Sequence, residues 1–183
     1  MDTDDSDVGD EFETCLDAAR GLLTSNEDAE DLWEANDLCN RALTVRPDSP
    51  EAWLVKGQVN SALGDDHSAL ACIEMSLRSN DRAAETHYWH MAVYADLERF
   101  DEALLAGERA FASVDEDDDW LIEEIFFEKG VVLDSMGEHE AALGTFEEGL
   151  KVCPESSLLQ SGLQPLHRAR VRRSFKIIPG GLT

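Results

Sequence analysis

The sequence predicts an all-α fold, a right-handed superhelical solenoid of about four helix-turn-helix hairpins closed by a C-terminal capping helix. Three observations carry that expectation. Ala35, Ala69 and Ala103 stand thirty-four residues apart and Ala142 follows after thirty-nine, a period that suits one helical hairpin. Each alanine opens a segment of the same design: "ANDLCNRAL", "ALACIEMSL", "ALLAGERAF" and "ALGTFEEGL". A small residue, a medium one four on and a small one seven on make a slim stripe, against which a neighbouring helix packs closely. A tight turn precedes the last three segments, as "LGDD" at Leu63, "LERF" at Leu97 and "MGEH" at Met136.

Taken in order, residues 1–9 ("MDTDDSDVG") read as an acidic, disordered N-terminus. Hairpins are expected over about 10–47, 49–81, 83–114 and 118–154. The first joins its helices through an unusually long turn, "TSNEDAED". Gly64 and Gly137 suit the left-handed residue that ends a helix, a conformation Glu98 must adopt less comfortably in the third copy. Pro47 and Pro154 stop the second helices of their copies. The five-residue excess falls in "SVDEDDDWLIEE", where Asp115 to Asp119 form an acidic loop before the helix of Trp120. Residues 156–174 form the cap through Leu158, Leu159, Leu163 and Leu166, with Pro165 either kinking it or opening a second short helix. A basic and apolar tail follows over 175–183.

The pattern resembles the tetratricopeptide repeat (TPR) family. Trp53, Gly57, Leu63, Gly64, Ala69 and Leu77 carry the likeness in the second copy, behind Pro47 of the first. Phe126, Gly130, Gly137, Ala142, Phe146, Gly149 and Pro154 carry it in the fourth. The third keeps Tyr94, Leu97, Ala103 and Ala110 but places His87 and Met91 where an aromatic and a glycine are usual. The first keeps Ala35, Cys39, Ala42 and Leu43. The likeness covers roughly residues 10 to 155, and it speaks for the fold more than for the partner.

Charge bounds the function. Forty acidic residues stand against fifteen basic ones, a formal net charge of −25. Such a surface opposes nucleic acid and anionic membranes. Arginine outnumbers lysine, eleven to four, and an acidic, lysine-poor surface resembles those of proteins from salt-loving organisms. The carboxylates serve hydration on that reading; on the other they form a face for a basic partner. No stretch is long and apolar enough to span a membrane, and the acidic start is unlike an export signal, so a cytoplasmic protein is expected. Cys15, Cys39, Cys72 and Cys153 lack paired spacing and read as buried free thiols.

No phosphate loop or nucleophile motif occurs, and carboxylates are too numerous for one pair to mark an acid and base, so no enzyme is expected. His87 and His90 stand three apart on one helix but lack further ligands for a metal, and no cofactor is implied.

The family resemblance implies a concave peptide groove lined by the first helix of each hairpin. It assigns Glu51, Leu54, Gln58 and Ser61 from the second copy, Glu85, Tyr88, Ala92 and Asp96 from the third, and Glu124, Phe127, Val131 and Asp134 from the fourth. None of the twelve is Lys, Arg or Asn, the residue types with which members of the family hold chaperone C-terminal tails, so that partner is disfavoured. An apolar floor with acidic edges suits a basic or amphipathic segment held by an interaction adaptor. Lys56, His90 and Lys129, each just before the glycine position, form a stripe one repeat apart, expected to pack its stems on apolar surface and pair with carboxylates. Residues 156 to 183 carry five basic groups and no acid. Arg168, Arg170, Arg172, Arg173, Phe175 and Lys176 are therefore expected to contact an acidic surface of this chain or, in a homodimer, of a sister chain. The alternatives are a frayed terminus, or a structural subunit that assembles through repeat ends and tail.

Overall fold

The computed structural model describes residues 5–25, 29–80, 83–115 and 118–176, and of these the side chains between 10 and 170. The described residues form nine helices and no strand: α1 (Asp5–Ser25), α2 (Ala29–Val45), α3 (Pro50–Ala62), α4 (Asp66–Ser79), α5 (Ala84–Asp96), α6 (Phe100–Ser113), α7 (Asp119–Ser135), α8 (His139–Val152) and α9 (Ser157–Lys176). They pair into four antiparallel hairpins that stack as a right-handed solenoid, with α9 laid on α7 and α8.

Contacts are distributed unevenly between the two sides of the stack. The first helices α1, α3, α5 and α7 each touch the next, whereas among the described residues the second helices α2, α4, α6 and α8 do not touch one another. The first helices therefore make a continuous inner face. The outer face is divided by gaps, each floored by an odd-numbered helix.

Local chemistry fixes where helices start and stop. Ser49 accepts a hydrogen bond from the Ala52 amide at 3.2 Å with Pro50 in the first turn of α3, and Asp65 accepts from the Ser68 amide at 3.1 Å at the start of α4. Gly64 and Gly137 take φ of +77° and +82°, and Glu98 occupies the same slot at +57°. A side chain there costs about 1–2 kcal/mol against an ordinary conformation.

The third hairpin departs from its neighbours in an ordered way. A Cβ on Gly57 of α3 would meet Ile73 of α4 at 2.8 Å, and one on Gly130 of α7 would run into the ring of Phe146 of α8. In the hairpin between them the two sizes are exchanged. Met91 of α5 is fully buried, and a Cβ on Gly107 of α6 would meet its sulfur at 2.6 Å. One small and one large residue fill each crossing, and which helix supplies the large one is free to vary.

Two boundaries differ from expectation, and a third choice is narrowed. α1 runs back to Asp5, so the helix takes in residues 5–9. The long turn is shorter than "TSNEDAED", because Thr24 and Ser25 end α1 while Ala29, Glu30 and Asp31 already belong to α2. Residues 26–28 lie outside the described residues. Of the two alternatives at Pro165, a second short helix is set aside, because Pro165 sits inside one continuous α9. Both Pro165 and Ser161, whose carbonyl it leaves without a helical donor, are exposed, on a side of the helix that is open to water. Ser156 caps this helix, accepting from the Leu159 amide at 2.9 Å and donating to Glu123 at 2.5 Å. Leu159 and Leu166 are buried with Leu133, Leu143 and Phe146, closing the end of the stack. Cys15, Cys39 and Cys72 are buried free thiols and Cys153 is half-buried; burial pushes the Cys39 thiol up to about 12.

Candidate functional site: the inner face of α3, α5 and α7

Side-chain hydrogen bonds join the three helices across the inner face. Gln58 Nε2 of α3 donates to Glu85 Oε1 of α5 at 3.2 Å, and the Tyr88 hydroxyl of α5 donates to Glu124 Oε2 of α7 at 3.2 Å. Leu54, Tyr88, Ala92 and Phe127 are half-buried, while Val131 is 38% exposed. Glu85 and Asp96 are exposed, and Ser61 and Glu124 are half-buried. An apolar floor with carboxylates at its margins results.

Three assigned residues are engaged locally. Glu51 accepts from the Ser49 hydroxyl at 2.8 Å, beside the cap of α3. Asp134 lies 2.5 Å from His139 Nδ1 of α8, toward the hairpin end. Phe127 leans on buried Phe146, ring centroids 6.0 Å apart, so it serves the core as well as the face.

One residue that sequence reasoning missed concentrates the charge. Glu128 follows Phe127, half-buried, four residues after Glu124 and therefore on the same side of α7. Burial, then the carboxylates of Asp96 and Glu124, push its carboxyl up to about 7. Partial burial and Asp66 also raise Asp96. Burial, with Glu124 and Glu128 beside it, makes the Tyr88 phenol a weaker acid than usual. No Lys or Arg among the described residues forms an ion pair with Glu85, Asp96, Glu124 or Glu128. The carboxylate spacing was legible; its distinctness was hidden by the abundance of acids elsewhere.

The Lys56, His90 and Lys129 register turns away from this face. Lys56 lines a cavity of about 400 Å³ in the outer gap between α2 and α4, with Trp33, Asn36 and Asn60, and Lys129 lines another between α6 and α8. Neither pairs with a carboxylate among the described residues, against expectation. The Lys56 ammonium instead sits 5.4 Å from the Trp53 ring centroid. His90 is 7% exposed, stacks on Tyr94 at 4.3 Å, and is not basic at neutral pH: burial, then His87, Arg109 and Arg99, push it down to about 4. His87 is buried on the same helix. Among the described residues no three of His, Cys, Asp and Glu converge on a metal position.

At the tail, Arg168 and Arg170 are exposed, and Arg170 reaches Glu140 of α8 at 4.0 Å while His167 reaches Glu147 at 3.7 Å. The side chains of Arg172, Arg173, Phe175 and Lys176 lie outside the described residues, as do Ile177 and Ile178. No described helix is long and apolar enough to cross a membrane.

Stacked hairpins with a continuous inner face define a helical-repeat solenoid. The particular fold is that of the tetratricopeptide repeat. The chain is similar to PilF of Pseudomonas aeruginosa, with a TM-score of 0.74 at 17% identity over 96% of this chain and 79% of that one. It is similar to MamA, at 0.70 and 19% over 92% and 87%. It is also similar to YrrB, described as a TPR protein with an unusual peptide-binding site, at 0.63 and 21% over 89% and 79%. No family model and no curated protein matches the sequence.

Proposed function

We propose that the protein is a non-enzymatic, cytoplasmic interaction adaptor whose inner face holds a basic or amphipathic peptide segment. The observation that carries this reading is the set of carboxylates at Glu85, Asp96, Glu124 and Glu128, which no Lys or Arg among the described residues pairs, beside the half-buried Tyr88 and Phe127. Crowded, partly buried carboxylates gain when a cation arrives, and the aromatic floor supplies apolar contact area at the same place. Chaperone C-terminal tails, which are acidic, and nucleic acid are opposed by the same charges.

The test is fluorescence anisotropy with short peptides graded in Lys/Arg and apolar content. Peptides carrying both features bind, and a Glu85→Lys/Glu124→Lys protein binds them about tenfold or more weakly, a loss of about 1.4 kcal/mol. Glu85 is exposed and Glu124 gives up one hydrogen bond, from Tyr88, at the margin of the face, so the helical circular-dichroism spectrum is expected to stay unchanged. Equal affinity for the two proteins overturns the reading.

A second reading, a structural subunit that assembles or dimerises through repeat ends and tail, draws on the contacts of Arg170 and His167 with α8. These side chains already have partners within the chain, which favours the adaptor.

The remaining acidic surface is proposed to be a halophilic adaptation. The ion pairs of the described residues are few and exposed, as at Arg41 with Glu11 and Arg46 with Glu13, and the −25 net charge is an excess of carboxylates that pairing within the chain does not reduce. The Debye length shrinks from about 30 Å at 0.01 M to about 3 Å at 1 M salt, which screens that repulsion. A Tm rising by several degrees between those limits in KCl is the expected result. A flat profile refutes the adaptation.

A further inference from the structure

The outer gap between α6 and α8 differs in chemistry from the one between α2 and α4. There Phe111, 48% exposed on α6, stands edge-on to Phe126 of α7, with ring centroids 5.5 Å apart and planes at 74°. With Ile125 and Ala112 these rings line a cavity of about 350 Å³, at the small end of sizes that receive ligand groups. Its banks are acidic on both sides, with Glu108 on α6 and Glu148 on α8, and Lys129 reaches into it from α7. The α2–α4 gap instead has Asn36 and Asn60, joined by a 2.8 Å hydrogen bond, beside a single aromatic residue, Trp33.

We propose that the α6–α7–α8 outer groove is a second docking site, for a chain segment presenting one large apolar side chain flanked by lysine or arginine. Three features select that occupant. The aromatic corner leaves much of a ring exposed to water, and an entering apolar side chain covers it with favourable edge and face contacts. Glu108 and Glu148 lack ion-pair partners among the described residues, so basic residues on either side of the anchor each meet an anion. Lys129, likewise unpaired, supplies N–H donors suited to a main-chain carbonyl of an extended segment. The site is independent of the inner face, since it lies on the opposite side of α7 and shares none of the residues assigned there.

A peptide of the sequence of residues 168–183, "RARVRRSFKIIPGGLT", has this chemistry: four arginines, Lys176, the anchors Phe175, Ile177 and Ile178, and no acid. Labelled with fluorescein and titrated with the full-length protein at about 0.15 M salt, it is expected to bind saturably. Phe111→Ser, and separately Glu108→Lys/Glu148→Lys, should weaken binding about tenfold or more. All three residues are exposed, and unchanged melting curves would confirm that the variants fold. Phe175→Ala in the peptide should weaken binding comparably. Absence of saturable binding overturns the proposal, as does equal binding of the Phe175→Ala peptide, which would mean attraction by charge alone. Binding that survives Phe111→Ser but is lost in Glu85→Lys/Glu124→Lys places the peptide on the inner face; it overturns this site and supports the adaptor reading.

Discussion

Gly57→Met is expected to destabilise the protein by about 1–3 kcal/mol and Ile73→Gly by about 3–5 kcal/mol, while the double variant falls short of their sum by about 1–3 kcal/mol. The first change drives a side chain into Ile73, whose Cγ1 already lies 2.8 Å from where a Cβ would stand. The second empties a fully buried position and adds the helix penalty of glycine. Together they reproduce the arrangement of the third hairpin, where Met91 on the first helix fills the space above Gly107 on the second. The lost and added volumes then compensate, because a core responds to the space it must fill more than to which helix fills it. Denaturant melts of the two single variants and the double variant measure the coupling directly. Strict additivity would mean that the crossings are not equivalent and that the exchange in the third hairpin is incidental.

The same exchange explains why the third copy is hard to read in sequence. Met91 stands where the pattern has glycine, and its compensation, Gly107, stands four residues after Ala103 in the other helix, the position that Phe146 holds in the fourth copy, so the two read as separate departures until the helices are packed together. The period, the turns and the cap were legible because each rests on residues adjacent in sequence: alanine spacing, Gly64 and Gly137, and the leucines before Arg168. Pairing across helices was not. Lys56, His90 and Lys129 share a register, as the sequence indicates, but only the splay of the second helices reveals that this register lines outer gaps. Tyr88 and Glu124 were assigned to one face separately; their hydrogen bond, and the crowding of Glu128 against Asp96, depend on how closely α5 approaches α7. Phe111 could have been noticed as a large apolar residue in a second helix, but its exposure follows from the open gap beside α8.

Buried His90 and half-buried Glu128 make stability depend on pH in opposite directions. His90 titrates at about 4 in the folded chain against an ordinary 6.5, so between those values the unfolded chain binds the extra proton. Its contribution is complete above pH 6.5 and is lost as pH falls toward 4. Glu128 titrates at about 7 in the folded chain against an ordinary 4.5, so there the folded chain binds the extra proton. Its burial costs stability above pH 7, and that cost is relieved as pH falls toward 4.5. Each shift corresponds to about 3 kcal/mol at most, from about 1.4 kcal/mol per pH unit. Over pH 4.5 to 6.5 the two slopes oppose each other, and wild-type stability is expected to change little from these groups. Glu128→Gln removes the gain and leaves a protein that loses about 2–3 kcal/mol between pH 6.5 and 4.5. His90→Phe removes the loss and leaves one that gains a similar amount as pH falls from 7 to 4.5. Carboxylates elsewhere are common to all three proteins and cancel in the comparison. Urea melts at half-unit steps of pH separate the cases, and parallel profiles for wild type and both variants would show that neither group is held as the structure places it.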